Sequence, residues 1–505
     1  MITALTLLGI GLYLVLMFYI AYRAYQMNKH DDPEDWFLMG RSANTAMLVG
    51  TMFATWFSTF AFLGGPGFFY KNGVNWLLFG FFNAMGPILV MVIGPRIWAL
   101  GKKFDFITPA DLLSAYYNNS RRIRVLTGLI CIAVLFPYSA IQITGIATAL
   151  NSISGGLIAF NVGVLLIAVC VGVYSFVGGS RAVVWTDVIQ GFAFAALLIV
   201  TMLLVIRWSG GWEQGWAAAT QTKPEHFAFE GGAGRYITVM TLFTFGWILT
   251  PHLWQRLYMA DSPQTLVKGA AITSFLALFV VTFTGAVIGM MALGMDFALP
   301  EGITSDALVP ELYAQFLPAM GAVLVIAVFA AGMSTLDSQL ISATSSFIQD
   351  LLPSVASVEP RKAMQLARVF EIAFVLALVA FAFSPSGRQL IAPLASIGVG
   401  MALTLLLPLL GALFWARASE PAVFWAMLLS WGVMIAMQFN LLPNPGIVGP
   451  PLWGLLVSAI AFFGISLAKD DPVDAERRQA FQDDMAPQFP ETAEAQVQAA
   501  QAANA

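Results

Sequence analysis

The sequence predicts an all-α polytopic membrane protein with about 13 transmembrane helices. Three observations lead there. Charged residues make up only 10% of the 505-residue chain, where a soluble globular protein carries about a quarter. Hydrophobic residues make up 59% and the mean hydropathy is +0.78. Apolar stretches of about 20 residues, the length a helix needs to cross the hydrocarbon core, recur along the whole chain. Together these exclude a water-soluble enzyme, a nucleic-acid binder and a disordered chain. Cys131 and Cys170 lie inside apolar runs and read as packing residues. His30, His226 and His252 are too far apart for a metal-ligand spacing.

The thirteen spans cover 2–25, 46–69, 76–100, 125–150, 157–176, 182–206, 236–258, 269–293, 317–351, 367–383, 390–415, 423–439 and 452–467. The first is too long and too poor in leading basic residues for a cleaved signal peptide. With gaps numbered alternately, 19 of the 24 Lys and Arg residues, Arg256 among them, fall on one side. The positive-inside rule then puts the N-terminus outside and the C-terminus in the cytoplasm. The segment 209–234 reads as the longest external loop. The tail 469–505, rich in Ala, Gln, Asp and Glu, reads as disordered.

Polar residues at membrane depth are costly, so they mark candidate sites. In the second span, Thr55, Ser58 and Thr59 precede Gly64-Gly65-Pro66-Gly67. That break reads either as a bare kink or as an unwound helix whose freed carbonyls bind a cation. In the ninth span, Ser334, Ser338, Ser342 and Ser345 follow helical steps and form a hydroxyl stripe, with Asp337 and Gln339 beside it. Small residues at helix contacts explain the serines alone. They do not explain Asp337, and hydroxyls with carbonyls suit a hard cation. In the sixth span, Gly178-Gly179 and Arg181 form a short inner loop. Asp187 lies about two turns into the following helix, too deep to cap it. Its partner is either a bound cation or an inner-face arginine.

These segments together resemble the sodium:solute symporter family. The motifs are Phe37-Leu-Met-Gly-Arg-Ser42, the break at residues 64–67, Thr108-Pro-Ala-Asp111, Ala182-Val-Val-Trp-Thr-Asp187 with Gln190, and Met333-Ser-Thr-Leu-Asp-Ser-Gln339. They run over about 300 residues in the family's order. The resemblance implies a LeuT-type 5+5 inverted repeat. Its parts are an extra N-terminal helix and loop (1–43), a first repeat (44–208), the external loop (209–234), a second repeat (235–416), two C-terminal helices (417–468) and the tail (469–505). Gly246 and Pro251 interrupt the first helix of the second repeat, as residues 64–67 do in the first.

The resemblance also implies a main sodium site on the carbonyls of Ala54, Phe57 and Ala331 and the hydroxyls of Ser334 and Thr335. A second sodium site found in some relatives maps to Asp187, Ser334 and Ser338. Asp337 replaces a common small hydroxyl residue beside it, which leaves open whether it is a ligand, a proton carrier or a counter-charge. Trp56 stands where proline symporters have a carboxylate. Around the first break, Trp56, Phe57, Tyr138, Gln142, Phe243 and Trp247 are the substrate-binding candidates. They are too poor in paired donors and acceptors for a sugar.

The implied activity is sodium-coupled secondary symport of a small organic solute (a monocarboxylate, an amino acid or a pantothenate-like compound) by alternating access. Such a protein is a multi-pass component of the plasma (inner) membrane. Its partners are the solute, Na+ and the lipid bilayer; it engages no nucleic acid and catalyses no covalent reaction. The alternatives are a transporter-like sensor served by a separate kinase, and a proton-coupled symporter.

Overall fold

The computed structural model describes residues 2–27, 33–229, 231–295, 297–354, 360–388, 391–468 and 475–485. Lys29, which enters the orientation count, lies outside them. Among the described residues, ten helices are long and apolar enough to cross a membrane, or up to 11 when the bent pair Ala233–Leu249 and Pro251–Met259 is one span. Two further apolar helices, Thr45–Trp56 and Phe160–Gly172, are shorter. The expected spans 46–69 and 157–176 are therefore present as helical segments that run into their neighbours rather than as isolated full-length helices. Among the described residues, strand-like pairing is confined to one isolated bridge, between Ala43 and Ala260.

The chain opens with α1 (Ile2–Met27) and α2 (Pro33–Leu38). Then α3 (Thr45–Trp56) starts at Asn44, whose side chain accepts the Met47 amide. It stops at Phe57, where φ −106° and ψ 92° leave the helical region. A π-helical turn (Phe60–Gly64) leads into α4 (Gly65–Asn72). The helix thus breaks at Phe57–Ser58, one to two turns before the expected glycines. Gly64 (φ −65°, ψ −39°) and Gly65 (φ −58°, ψ −62°) are helical. The glycines serve packing instead. A Cβ on Gly67 would sit 2.2 Å from the Ser305 carbonyl oxygen, and one on Gly289 would sit 2.3 Å from that of Pro66.

Next come α5 (Leu77–Lys103), α6 (Pro109–Tyr116), α7 (Arg121–Ile153) and α8 (Phe160–Trp208). Two helices join within α8 across Gly179, whose φ of 59° suits glycine. The segment 209–234 holds a helix, α9 (Trp212–Thr222).

The second interruption mirrors the first. α10 (Ala233–Thr241) passes through a π-helical turn (Leu242–Gly246) and one tight turn (Trp247–Leu249). It bends by 53° into α11 (Pro251–Met259). Pro251 disfavours a helical residue before it, and Thr250 is extended at ψ 134°.

The chain continues through α12 (Pro263–Leu276), α13 (Phe283–Ala292), α14 (Leu308–Phe316) and α15 (Gly321–Ser345). It ends with α16 (Pro360–Phe383), α17 (Ile391–Ala402), α18 (Leu406–Phe414), α19 (Glu420–Gln438), α20 (Pro450–Ala468) and α21 (Ala475–Met485). α15 is the central pillar, buried on all sides in its second half and packed on α1, α3, α7, α8 and α11. The last helix departs from the disordered tail the composition predicts. Phe481 is buried against Phe104, Phe106 and Tyr116, so one aromatic anchor orders an otherwise polar segment. The rest of the tail lies outside the described residues.

Candidate functional site

At the first interruption the backbone is held by side chains from α7. The Tyr138 hydroxyl donates to the Trp56 carbonyl (3.3 Å) and lies 3.3 Å from the Ser58 hydroxyl. The Gln142 side-chain oxygen accepts from the Thr59 amide (3.3 Å) and hydroxyl (2.7 Å). The amide of Ala61 bonds Ser58 rather than Phe57, so the Phe57 carbonyl has left the helical ladder.

Four of the five oxygens assigned to the main sodium site come together here. The Ala54 carbonyl accepts from Ser334 (3.1 Å) and Thr335 (3.2 Å). Both hydroxyls also reach the Ala331 carbonyl, at 3.1 and 3.3 Å. All four residues are fully buried. Hydroxyls that now donate to carbonyls can turn their lone pairs inward, so the cluster offers neutral oxygens from two helices to a small cation.

Asp187, Ser334 and Ser338 are arranged differently from the expectation. Ser334 stays with Ala54 and Ala331, while Asp187 and Ser338 share a guanidinium. Arg256 Nη2 donates to Asp187 Oδ2 (3.4 Å) and to the Ser338 hydroxyl. Its Nε donates to Thr51 (3.2 Å) and its Nη1 to the His252 carbonyl (3.0 Å). Thr51 (2.6 Å) and Thr55 (3.3 Å) donate to the same carboxylate oxygen. Arg256 is 1% exposed, so it sits in the protein interior and not in an exposed loop, where the count of basic residues placed it. Its position six residues past the Thr250 bend, inside an apolar window, was the available signal.

The serine stripe of α15 faces α11. Ser342 donates to the Gln255 side-chain oxygen (2.6 Å), and Gln255 donates to Ser345 (2.8 Å). Asp337 lies off this stripe, buried, with neither carboxylate oxygen hydrogen-bonded. Gln339 accepts from Ser139 (2.8 Å).

All six substrate candidates gather at the first break. Ring centroids of Trp247 lie 6.3 Å from Trp56, 5.2 Å from Tyr138 and 6.1 Å from Phe243. Phe57 stacks on Trp56 at 6.3 Å. Tyr138 and Gln142 are occupied in bracing the backbone, which makes them positioning residues in this state. A small pocket opens beside the aromatics, lined among others by Phe57, Phe60, Trp76, Phe79 and Asn83. Sequence reading missed Asn83, which accepts the Trp56 indole N–H at 3.1 Å. As a lone amide in an apolar span, it met the same criterion that singled out Asp187. His252 was also passed over. Its ring lies 5.5 Å from Tyr138, and both its nitrogens are buried without a partner.

Two interrupted helices facing a pillar helix, with oxygens converging at the first interruption, make a LeuT-type fold. Solved structures share this fold. One is titled a substrate-bound outward-open state of a Na+-coupled sialic acid symporter (TM-score 0.78, 18% identity, covering 94% of this chain and 98% of that one). Another is Mhp1, titled a nucleobase-cation-symport-1 family transporter (TM-score 0.56, 15% identity, 90% and 99% covered). Residues 36–430 match the sodium:solute symporter family, and the chain belongs to it. The sodium/pantothenate symporter of Haemophilus influenzae is 28% identical over 455 residues, which span 85% of this chain and 90% of that protein. The sodium/proline symporter of Salmonella typhimurium is 25% identical over 393 residues, covering 75% and 77%. The protein is thus a multi-pass membrane transporter rather than an enzyme.

Proposed function

We propose that the protein imports a small organic solute across the plasma membrane together with sodium. The oxygen cluster of Ala54, Ala331, Ser334 and Thr335, completed by the Phe57 carbonyl, holds the ion. The observation that carries this reading is the convergence of those hydroxyls and carbonyls exactly where α3 unwinds, for an unwound helix frees the oxygens a cation needs. Sodium bound there ties α3 to α15 and so couples ion occupancy to the shape of the adjoining aromatic cavity. Alternating access follows when the two interrupted helices move against the helices around them.

The solute class is a monocarboxylate, an amino acid or a pantothenate-like compound. Support comes from a cavity lined mainly by aromatic rings with one amide, Asn83, and from relatives named for pantothenate and proline transport. We place the N-terminus outside and the C-terminus in the cytoplasm, an orientation supported by the excess of basic residues on one side. Uptake of a solute panel into proteoliposomes, with and without an inward sodium gradient, tests the whole reading. Accumulation of one such solute that collapses when the gradient is removed supports it. Equal uptake under both conditions would overturn it.

A further inference from the structure

The helix α21 is polar and holds a single aromatic residue, Phe481. A helix of 11 residues has little stability of its own in water, so its order comes from what it touches. Phe481 is 3% exposed. Its ring stacks on Phe104 at 4.8 Å, lies 6.4 Å from Phe106 and meets Tyr116 edge-on at 5.3 Å. Two arginines fasten the start of the helix. Arg477 donates to the Ala115 carbonyl (2.6 Å) in the last turn of α6, and Arg478 to the Ala416 carbonyl (3.0 Å) just past α18. Basic side chains there satisfy carbonyls that a helix end leaves open and meet the negative end of its dipole. One apolar plug and two caps are few contacts, so the docked helix can come away without unfolding the bundle of spans.

What α21 grips is the segment 104–108 between α5 and α6. From that segment hydrogen bonds run to three other helices. The Phe106 carbonyl accepts from Arg41 Nη2 (3.0 Å), and Arg41 Nη1 donates to the Tyr258 carbonyl (3.4 Å). The Arg41 guanidinium also lies 5.7 Å from the Tyr258 ring. Arg41 and Tyr258 flank the bridge between Ala43 and Ala260, where the entry to α3 meets the exit from α11. On the other side, the Thr108 hydroxyl donates to Asp350 (2.8 Å) in the π-helical turn that follows α15. The Ile107 and Thr108 amides both donate to Asp111 at 2.9 Å, which fixes the shape of the segment. One short loop therefore touches both interrupted helices and the pillar helix, at the end of the molecule that we place in the cytoplasm.

We propose that α21 is a latch. Docked through Phe481, Arg477 and Arg478, it holds segment 104–108, and through Arg41 and Thr108 it keeps the cytoplasmic ends of α3, α11 and α15 together. The contact is autoinhibitory: it slows the opening of the path toward the cytoplasm, and release of α21 speeds that step. The latch rests on the alternating-access reading above and adds a control to it.

The test follows hydrogen exchange and thiol reactivity in the purified full-length protein, for wild type, Phe481→Ala, Phe481→Leu and the double variant Arg477→Ala/Arg478→Ala. Cys131 reports opening, because it is buried on α7 one turn past Gly128, which abuts Asp350. In Phe481→Ala, exchange of residues 104–108 and 259–262 should be about tenfold faster than in wild type. Alkylation of Cys131 by N-ethylmaleimide, read by mass spectrometry, should be roughly fivefold faster. The double variant should shift both in the same direction, and Phe481→Leu, which keeps an apolar plug, should stay near wild type. Faster exchange at 104–108 with 259–262 and Cys131 unchanged overturns the latch, for the helix then covers only its own loop. An equal rise in α9, on the far side, also overturns it, since that shows general loosening. Should Phe481→Ala fail to fold, the double variant decides on the same criteria. None of these readouts depends on sodium or solute. Proteoliposomes that show no sodium-driven uptake therefore sink the transport reading, while these rates still decide whether α21 holds the three helix ends.

Discussion

The two interrupted helices solve one problem with opposite materials. At the first, between α3 and α4, residues 45–64 carry no charged side chain of their own: Ala54, Phe57 and Thr55 offer neutral oxygens, and α15 answers with hydroxyls. At the second, between α10 and α11, the chain brings its own cation. Arg256 reaches across to Asp187, Ser338 and Thr51. A neutral cluster can accept and release a mobile ion, because no fixed charge competes for it. A tethered guanidinium already bound to a buried carboxylate is a permanent fixture. The difference teaches that hydroxyls along one face of α15 do not all do the same work. Ser334 and Thr335 face the neutral break, whereas Ser338, Ser342 and Ser345 are fastened to Arg256 and Gln255.

The largest expected effect comes from removing the fixed cation. Arg256→Met leaves Asp187 buried with only hydroxyl partners, and breaking such a pair costs about 3–5 kcal/mol. Thermal unfolding of the purified variant should show a clear fall, partly restored by adding Asp187→Asn. A variant as stable as wild type would show that the pair is dispensable and erase the contrast. Next in size are Ser334→Ala and Thr335→Ala. Each removes one ligand of the neutral cluster, at about 1–3 kcal/mol, or roughly 5- to 150-fold in the sodium concentration needed for uptake. Fold stability should change little. Initial rates measured against sodium concentration decide this, and an unshifted curve for both would remove them from the ion site. The smallest effect belongs to Asn83→Leu, which releases the Trp56 indole at a cost of about 1 kcal/mol. It should raise the solute concentration for half-maximal uptake several-fold while leaving the sodium dependence alone. A shift in sodium dependence instead would place Trp56 with the ion rather than the solute.

Much of this arrangement was legible in the sequence, because membrane depth makes polar residues conspicuous. Asp187, Asp337 and the Ser334-Thr335 pair stood out for that reason, as did the matched Gly and Pro interruptions. The exact break in the first span did not. Glycines at 64–67 permit a break and equally permit close helix contact, and local sequence cannot separate the two. What enforces the break at Phe57–Ser58 is Tyr138 and Gln142, some 80 residues away. Arg256 was hidden by averaging. It lies near a span end, where a basic residue normally marks a loop, and only the 53° bend turns it inward.

The bridge between Ala43 and Ala260 carries a mechanical consequence. Ala43 accepts from the Asp261 amide and donates to the Met259 carbonyl, both at 3.0 Å. The Trp98 indole adds a third tie to the Ala260 carbonyl at 2.7 Å. The entry to α3 and the exit from α11 are therefore stitched at a common point. Parts joined in this way turn about the joint instead of sliding past each other. Any rocking of α3 therefore drags the near end of α11 with it, so the joint at residues 43 and 260 couples the two interrupted spans at that end, while the breaks at Phe57–Ser58 and Thr250 leave α4 and α10 free to move separately.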